Sequence, residues 1–360
     1  MDATDAWLIL NGSHLSPGRV HRLLEVYGDA EAVLAAGEAD LLAMEGFTRQ
    51  HLETLRRAER ELDLPALRQQ MMAHGVSLLP VSDPAYPPLL RETPDAPPLL
   101  FVQGALNRRD EMAVAIVGTR KCSPYGAQVA RRLATDLARR GFTIVSGMAS
   151  GVDAEAHRGA IEAGGRTVAV MASGPDITYP SSHKELREQI VAQGAVLTEH
   201  GFGTQPMREL FPSRNRIIAG LTLGTLVVEA PLKSGALITA RVAAEYGREV
   251  LAVPGSIDSP LSHGCHDLIK NGARLVEVAE DVVEGLGIML EAAPAERPRA
   301  EVQVSGDEQT VLDALSFQPR HVDEVIAETR LPTARINSAL MLLEMKGLVR
   351  RFPGNTYVRL

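Results

Sequence analysis

Cysteine, long apolar runs and excess positive charge are all scarce in this 360-residue chain. Two cysteines, Cys122 and Cys265, are too few for a disulfide framework and fit a reducing compartment, so a cytoplasmic protein is expected. No apolar run reaches the about 18 residues needed to cross a bilayer, and no basic segment followed by an apolar one opens the chain. Neither a membrane span nor secretion is expected. The formal net charge is −8. That excludes any nucleic-acid reading based on bulk basicity, because phosphates would have to meet a local basic patch.

What the sequence does have is core-forming material. Hydrophobic residues make up 45%, and the length suggests two or three domains. Helical spacing predicts short helices over 5–10, 17–27, 30–36, 38–44 and 49–62, punctuated by Gly28, Gly37 and Gly46. Residues 1–70 thus read as a small helical module of sterile-alpha-motif-like or helix-hairpin-helix type. Over 1–65 it holds six arginines against twelve acidic residues, which favours packing or protein interaction over phosphate binding. The proline-rich stretch 76–104 predicts short strands near a sheet edge, where proline is tolerated. From about 112 to 288, apolar runs such as MAVAIVG, FTIVSG, RTVAVMASG, TLVVEA and EVLAVPG alternate with amphipathic helices, one of them over 214–221. This alternation predicts a Rossmann-like α/β domain over 76–290, with a mostly parallel sheet covered on both faces. Residues 291–304 are rich in alanine, proline and charge and read as a linker. Helices over 307–317, 322–329 and 332–346, then two strands flanking Pro353-Gly354-Asn355, give the winged-helix order over 305–360. Seven basic and seven acidic side chains leave 307–360 neutral, and its third helix carries only Arg335 near its start, a poor match to a duplex-reading helix.

In an open parallel sheet, ligands bind beyond the carboxyl ends of the strands. The residues there are Gly118-Thr119-Arg120-Lys121, then the loop from Ser146 and Gly147 through Gly151 to Asp153, and later Glu229 through Lys233-Ser234-Gly235. Small residues opening a helix present backbone N–H groups and a helix dipole to a phosphate. Neither a GxGxxG nor a GK[ST] loop is present, so neither a dinucleotide site nor a Walker A site is indicated. The densest signal is Arg208, Phe211, Arg214, Asn215 and Arg216: three arginines within nine residues around an aromatic ring. Such a mixture suits unpaired bases and their phosphates. An internal pairing of Arg214 or Arg216 with Glu229 or Glu245 is the competing expectation. Asp153 and His157 lie four apart, and His263, Cys265 and His266 cluster, but no third ligand arrives at a standard spacing. No metal, no cofactor and no catalytic constellation is expected, and Asp153 reads as a helix cap.

The strings VAIVGTRKCSPYG, IVSGMASGVDAEAHRGAIEAGGRTVAVMASGPDITYP, LFPSRNRIIAGLTLGTLVVEAPLKSGALITARVA and VLAVPG, in order over about 112–275, resemble the DNA processing protein A family. The resemblance implies a non-enzymatic single-stranded-DNA binder that protects incoming DNA in natural transformation, helps load a RecA-type recombinase and acts as a homodimer. It implies that Arg120 contacts DNA, that Phe211 stacks on a base beside basic Arg208, and that the Ser146–Gly147–Gly151 and Lys233–Gly235 loops wall a phosphate pocket. It also implies mixed roles for Arg214 and Arg216. The sequence departs from the pattern at Gly264-Cys265-His266 and at Thr198. Two other readings stay open. One is a nucleotide-handling, phosphoribohydrolase-like enzyme on the same fold, for which Glu229 is the candidate acid although the PGGxGT-type loop is missing. The other is a duplex-binding regulator acting through the winged helix.

Overall fold

The computed structural model describes residues 2–288, 304–316, 319–352 and 354–359. Contacts divide the chain into two compact units: a larger one of Met1–Lys121 with Ala130–Ile288, and a smaller one of Cys122–Val129 with the C-terminal residues.

Six helices open the larger unit: α1 (Ala3–Gly12), α2 (Pro17–Tyr27), α3 (Ala30–Ala35), α4 (Glu38–Ala43), α5 (Arg49–Glu61) and α6 (Leu64–His74). Side-chain caps start several of them, Asp2 on α1, Asp29 on α3 and Thr48 on α5. Their apolar faces gather Trp7, Ile9, Leu10, Leu23, Leu41 and Leu55 into one core, which continues onto Val76, Leu99 and Phe101 of the neighbouring sheet. The α6 helix falls where no helix was expected. Asp63 caps it and Gly75 ends it in the left-handed conformation, but it buries no residue fully, so its apolar stripe is weak.

Strand β1 (Val76–Pro80), helix α7 (Pro88–Arg91) and strand β2 (Leu99–Gly104) follow. The alternating part runs β3 (Ala113–Val117), α8 (Pro124–Arg139), β4 (Thr143–Ser146), α9 (Val152–Glu162), β5 (Thr167–Val170), α10 (Lys184–Gln193), β6 (Ala195–Thr198), α11 (Leu210–Gly220), β7 (Gly224–Val227), α12 (Gly235–Glu245), β8 (Glu249–Ala252), α13 (His263–Lys270), β9 (Arg274–Leu275) and α14 (Ala279–Gly285). One sheet joins all nine strands in the order β1-β2-β6-β5-β4-β3-β7-β8-β9. Pairing is parallel from β6 through β9, and antiparallel for β1 with β2 and β2 with β6. Every residue of β3, β4, β5, β6 and β7 is buried, which explains why these strands read as continuous apolar runs. The order reverses at β3, since the chain moves to β4, β5 and β6 on one side and returns to β7 and β8 on the other. The loops after β3 and β7 therefore meet at a switch point.

In the smaller unit, α15 (Gly306–Asp313), β10 (Arg320–His321), α16 (Val322–Thr329), α17 (Thr333–Met345), β11 (Val349–Phe352) and β12 (Thr356–Arg359) form a winged helix with the sheet order β10-β12-β11. Its own core contains Val311, Leu312, Val325, Ile336, Leu340, Leu343 and Val349. The expected linker lies outside the described residues except Val304, as do Phe317 of the expected first helix and Pro353 of the expected turn.

Candidate nucleic-acid interface

Helix α11 begins at Leu210, four residues before the start that the sequence spacing suggested. Pro212 in its first turn is compatible with this, because the missing N–H has no intrahelical acceptor there. Phe211, Arg214 and Asn215 then stand at i, i+3 and i+4 on one face, while Arg216 turns away. Around Phe211 the other loops converge. The Arg120 guanidinium carbon lies 4.5 Å from the ring centroid, and that of Arg214 lies 6.0 Å away. Tyr179, from the loop after β5, places its ring centroid 5.7 Å from that of Phe211. No sequence argument singled Tyr179 out. The Thr119 N–H donates to the Glu229 carbonyl (2.7 Å), and Val152 N–H donates to the Thr119 carbonyl (3.3 Å), so the loops after β3, β4 and β7 are tied together at the switch point. Asn215 Nδ2 donates to the Gly235 carbonyl (3.3 Å), joining α11 to the start of α12, which Ser234 caps through Ala236 N–H.

The three arginines of the cluster have different surroundings. Arg208 is exposed just ahead of α11. Arg214 is 4% exposed and donates through Nη1 to the carbonyls of Gly147 (2.7 Å) and Val170, and through Nε to Asn215 Oδ1 (3.2 Å). Burial pulls its pKa down to about 10, against the attraction of Asp153. Arg214 is therefore a buried brace beside Phe211, not a hand reaching into solvent. Arg216 donates to Glu199 Oε2 and to the Asp95 carbonyl, so its internal partners come from the loops beside β6 and β2 and are not the expected Glu229 or Glu245.

The glycine loop also differs from the simple amide cradle expected. Asp153 is buried, and its carboxylate accepts from Gly147 N–H (3.2 Å) and Ala149 N–H (3.4 Å). Those two amides are already taken by an internal carboxyl group. Burial raises the Asp153 pKa, with Arg214 opposing. The helix cap of α9 is Gly151, not Asp153. Gly151 has φ +82, and a Cβ there would lie 2.4 Å from the Thr119 carbonyl oxygen. A Cβ on Gly147 would lie 2.4 Å from the Arg214 guanidinium. Glycine at both positions lets the three loops close on one another. Ser146 was expected at the pocket wall. It is fully buried, with Oγ donating to the Ile116 carbonyl (2.7 Å), so it braces the sheet. The residues left facing outward are Arg120, Lys121, Arg208, Lys233 and Gly235, with Phe211 and Ser234 partly covered.

The side chain of Glu229, the candidate acid of the enzymatic alternative, is buried, in a residue only 4% exposed. His157 is fully buried against Thr167, while His263 and His266 bond the backbone of Ile257 and Gly255, so these side chains form two separate structural groups. Among the described residues no group of three or more His, Cys, Asp or Glu side chains is placed to hold a metal. Among them, too, no helix is long and apolar enough to cross a membrane. In the winged helix, Arg335 pairs with Asp307 (2.5 Å) and Lys346 with the buried Glu308 (2.8 Å), while Met341, Leu342 and Met345 of α17 are exposed. The exposed side of α17 thus carries Arg335, Asn337 and Ser338 near its start and apolar side chains further on.

A Rossmann-like sheet with an arginine and aromatic corner at its switch point, joined to a winged helix, defines a class of DNA-handling proteins. Residues 77–287 match the family model described as DNA recombination-mediator protein A, and residues 293–355 match that of the DprA winged helix domain. The chain is 34% identical to Protein Smf of a Synechocystis species, over 98% of this chain and 97% of that one. Two solved structures are similar: DNA processing protein A from Streptococcus pneumoniae (36% identity, TM-score 0.70, 79% of this chain and 98% of that one), and its Helicobacter pylori counterpart (28% identity, TM-score 0.53, 59% and 95%). The chain belongs to the DNA recombination-mediator protein A family.

Proposed function

We propose that this chain is a single-stranded-DNA-binding recombination mediator which grips an unpaired strand in the groove built by Arg120, Phe211, Arg208 and the Lys233–Gly235 loop. The observation that carries this reading is the Arg120 guanidinium over the Phe211 ring at the sheet's switch point. The Helicobacter pylori relative is described by its single-stranded DNA binding mode, which supports the same ligand here. Phosphates would meet Arg120, Lys121, Arg208 and Lys233 at the surface, and the Gly147–Gly151 loop, Arg214 and Asn215 would hold that surface in shape. The protein binds without catalysing, acts in the cytoplasm as a homodimer, and delivers its strand to a RecA-type recombinase during natural transformation. Its working parts are a helical module over 1–70, the DNA-binding domain over 76–290, a linker over 291–304 and the winged helix over 305–360.

Fluorescence-anisotropy titration with oligo-dT tests the site. Arg120→Ala, Arg208→Ala and Phe211→Ala are each expected to weaken binding by about 5- to 100-fold, the range of one lost stacking or phosphate contact. Affinity unchanged in all three rejects the groove. Release of free base from nucleoside monophosphates, abolished by Glu229→Gln, would favour the enzymatic alternative.

A further inference from the structure

The Tyr179 residue is 38% exposed and lies beside Phe211, which is partly covered. The two ring centroids are 5.7 Å apart and their planes are inclined by 54°. Arg120 lies over Phe211 at 4.5 Å, so a base entering this corner meets the Tyr179 ring and the Arg120 guanidinium, with Phe211 behind the latter. The loop that carries Tyr179 is firmly held. Arg187, 7% exposed, donates to the carbonyls of Pro175 and Ile177 (3.0 Å), to Thr178 Oγ1 (3.2 Å) and to Gln103 Oε1 (3.2 Å). On the other side, Asp176 accepts from Gly203 N–H (3.0 Å), which ties this loop to the one leading into α11. A ring on a loop fixed in this way is preorganised for contact, and little of its binding energy goes into ordering it.

We propose that Tyr179 is a second base-stacking platform, set beside the Arg120 guanidinium that covers Phe211, and that it favours strands whose bases are not firmly stacked on each other. The proposal rests on the groove reading above and adds a residue and a preference to it. A base laid flat on the Tyr179 ring must splay away from the neighbour that was stacked on that face. Adenine tracts resist splaying because they stack well on themselves, whereas thymine tracts do not. Sequence preferences of this origin come from stacking strength and backbone flexibility, with no base-edge contact needed.

The test is an anisotropy titration of the full chain and of its Tyr179→Ala, Tyr179→Phe and Arg120→Ala variants. Three labelled strands of equal length are used: oligo-dT, oligo-dA and an abasic strand. Wild type is expected to bind oligo-dT more tightly than oligo-dA. Tyr179→Ala is expected to lose about 10-fold on oligo-dT, to bring the dT-to-dA ratio towards one, and to match wild type on the abasic strand, while Tyr179→Phe retains wild-type behaviour. A loss in Tyr179→Ala that persists on the abasic strand shows that the residue acts through loop shape, and overturns the platform. Full oligo-dT affinity in Tyr179→Ala alongside a weakened Arg120→Ala overturns the platform and leaves the groove standing. Full affinity in both overturns the groove itself, and a wild-type preference for oligo-dA overturns the splayed geometry.

Discussion

Removing the Arg216 side chain leaves Glu199 without its cation in a corner where both side chains are only 12% and 15% exposed. Breaking such a pair from one side costs about 3 kcal/mol or more when it is well buried. Arg216→Ala is therefore expected to lower unfolding free energy in urea by about that much, while the oligo-dT affinity of the folded protein changes less than twofold. A large affinity loss with stability intact would place Arg216 in the groove instead. The sequence shows three arginines in one short string, and a string has no faces. They separate only once the helix start is known, because Arg214 then stands three residues from Phe211 and Arg216 five. Ser146 misleads in a related way. It opens a run of small loop-like residues, yet it is the last residue of β4 and its hydroxyl is held by Ile116. Tyr179 carries no such signal, because it lies nine residues beyond the end of β5 at Val170, on the far side of its loop.

At the scale of elements, glycine stops and apolar periods made most helices legible, and the alternation of runs made the parallel sheet legible. The order in which β3 becomes the switch strand is a property of long-range pairing that no local pattern encodes. The start and stop signals of α6 were present in Asp63, Pro65 and Gly75, but its weakly amphipathic middle hid it. The least legible device is the anchoring of one loop by one buried cation. Arg187→Ala would leave the buried Pro175 carbonyl without its donor, at about 1–3 kcal/mol, while the Ile177 carbonyl keeps the Ser173 hydroxyl (3.1 Å). Hydrogen exchange in the segment 176–179 is expected to accelerate in that variant, together with a loss of oligo-dT affinity, while the winged helix keeps its protection. Unchanged exchange in 176–179 would mean that the loop holds its shape without Arg187.

Across the whole molecule, acid sensitivity follows from buried histidines. Burial is the main cause of the low pKa values of His157, at about 3, and His200, at about 4, with nearby arginines adding to it. The unfolded chain takes up these protons near pH 6.5 and the folded chain does not, so stability falls as pH drops below about 6.5 and continues to fall towards 4. Each histidine contributes a slope of up to about 1.4 kcal/mol per pH unit in that window. Asp153 and Glu199, whose pKa values burial raises, act in the opposite sense, with stability lost as pH rises through and above the ordinary carboxylate range. Denaturant titrations at pH 7.5, 6 and 5 are expected to show the decline, and His157→Gln is expected to make it shallower. A decline equally steep in the variant would assign the acid sensitivity to other groups. The net charge of −8 belongs to this scale too. An acidic chain that holds DNA through local cations should still lose affinity steeply with salt, with a log–log slope of about −0.7 for each single-strand phosphate neutralised.

The central claim is that the unpaired strand lies across the Arg120, Phe211 and Arg208 corner at the carboxyl end of the parallel sheet. A structure of the full chain with a short oligo-dT bound tests it most directly. The account expects strand phosphates within hydrogen-bond reach of Arg120 and Arg208 and a base against the Tyr179–Phe211 pair. An oligonucleotide seated on the winged helix, with that corner unoccupied, contradicts it.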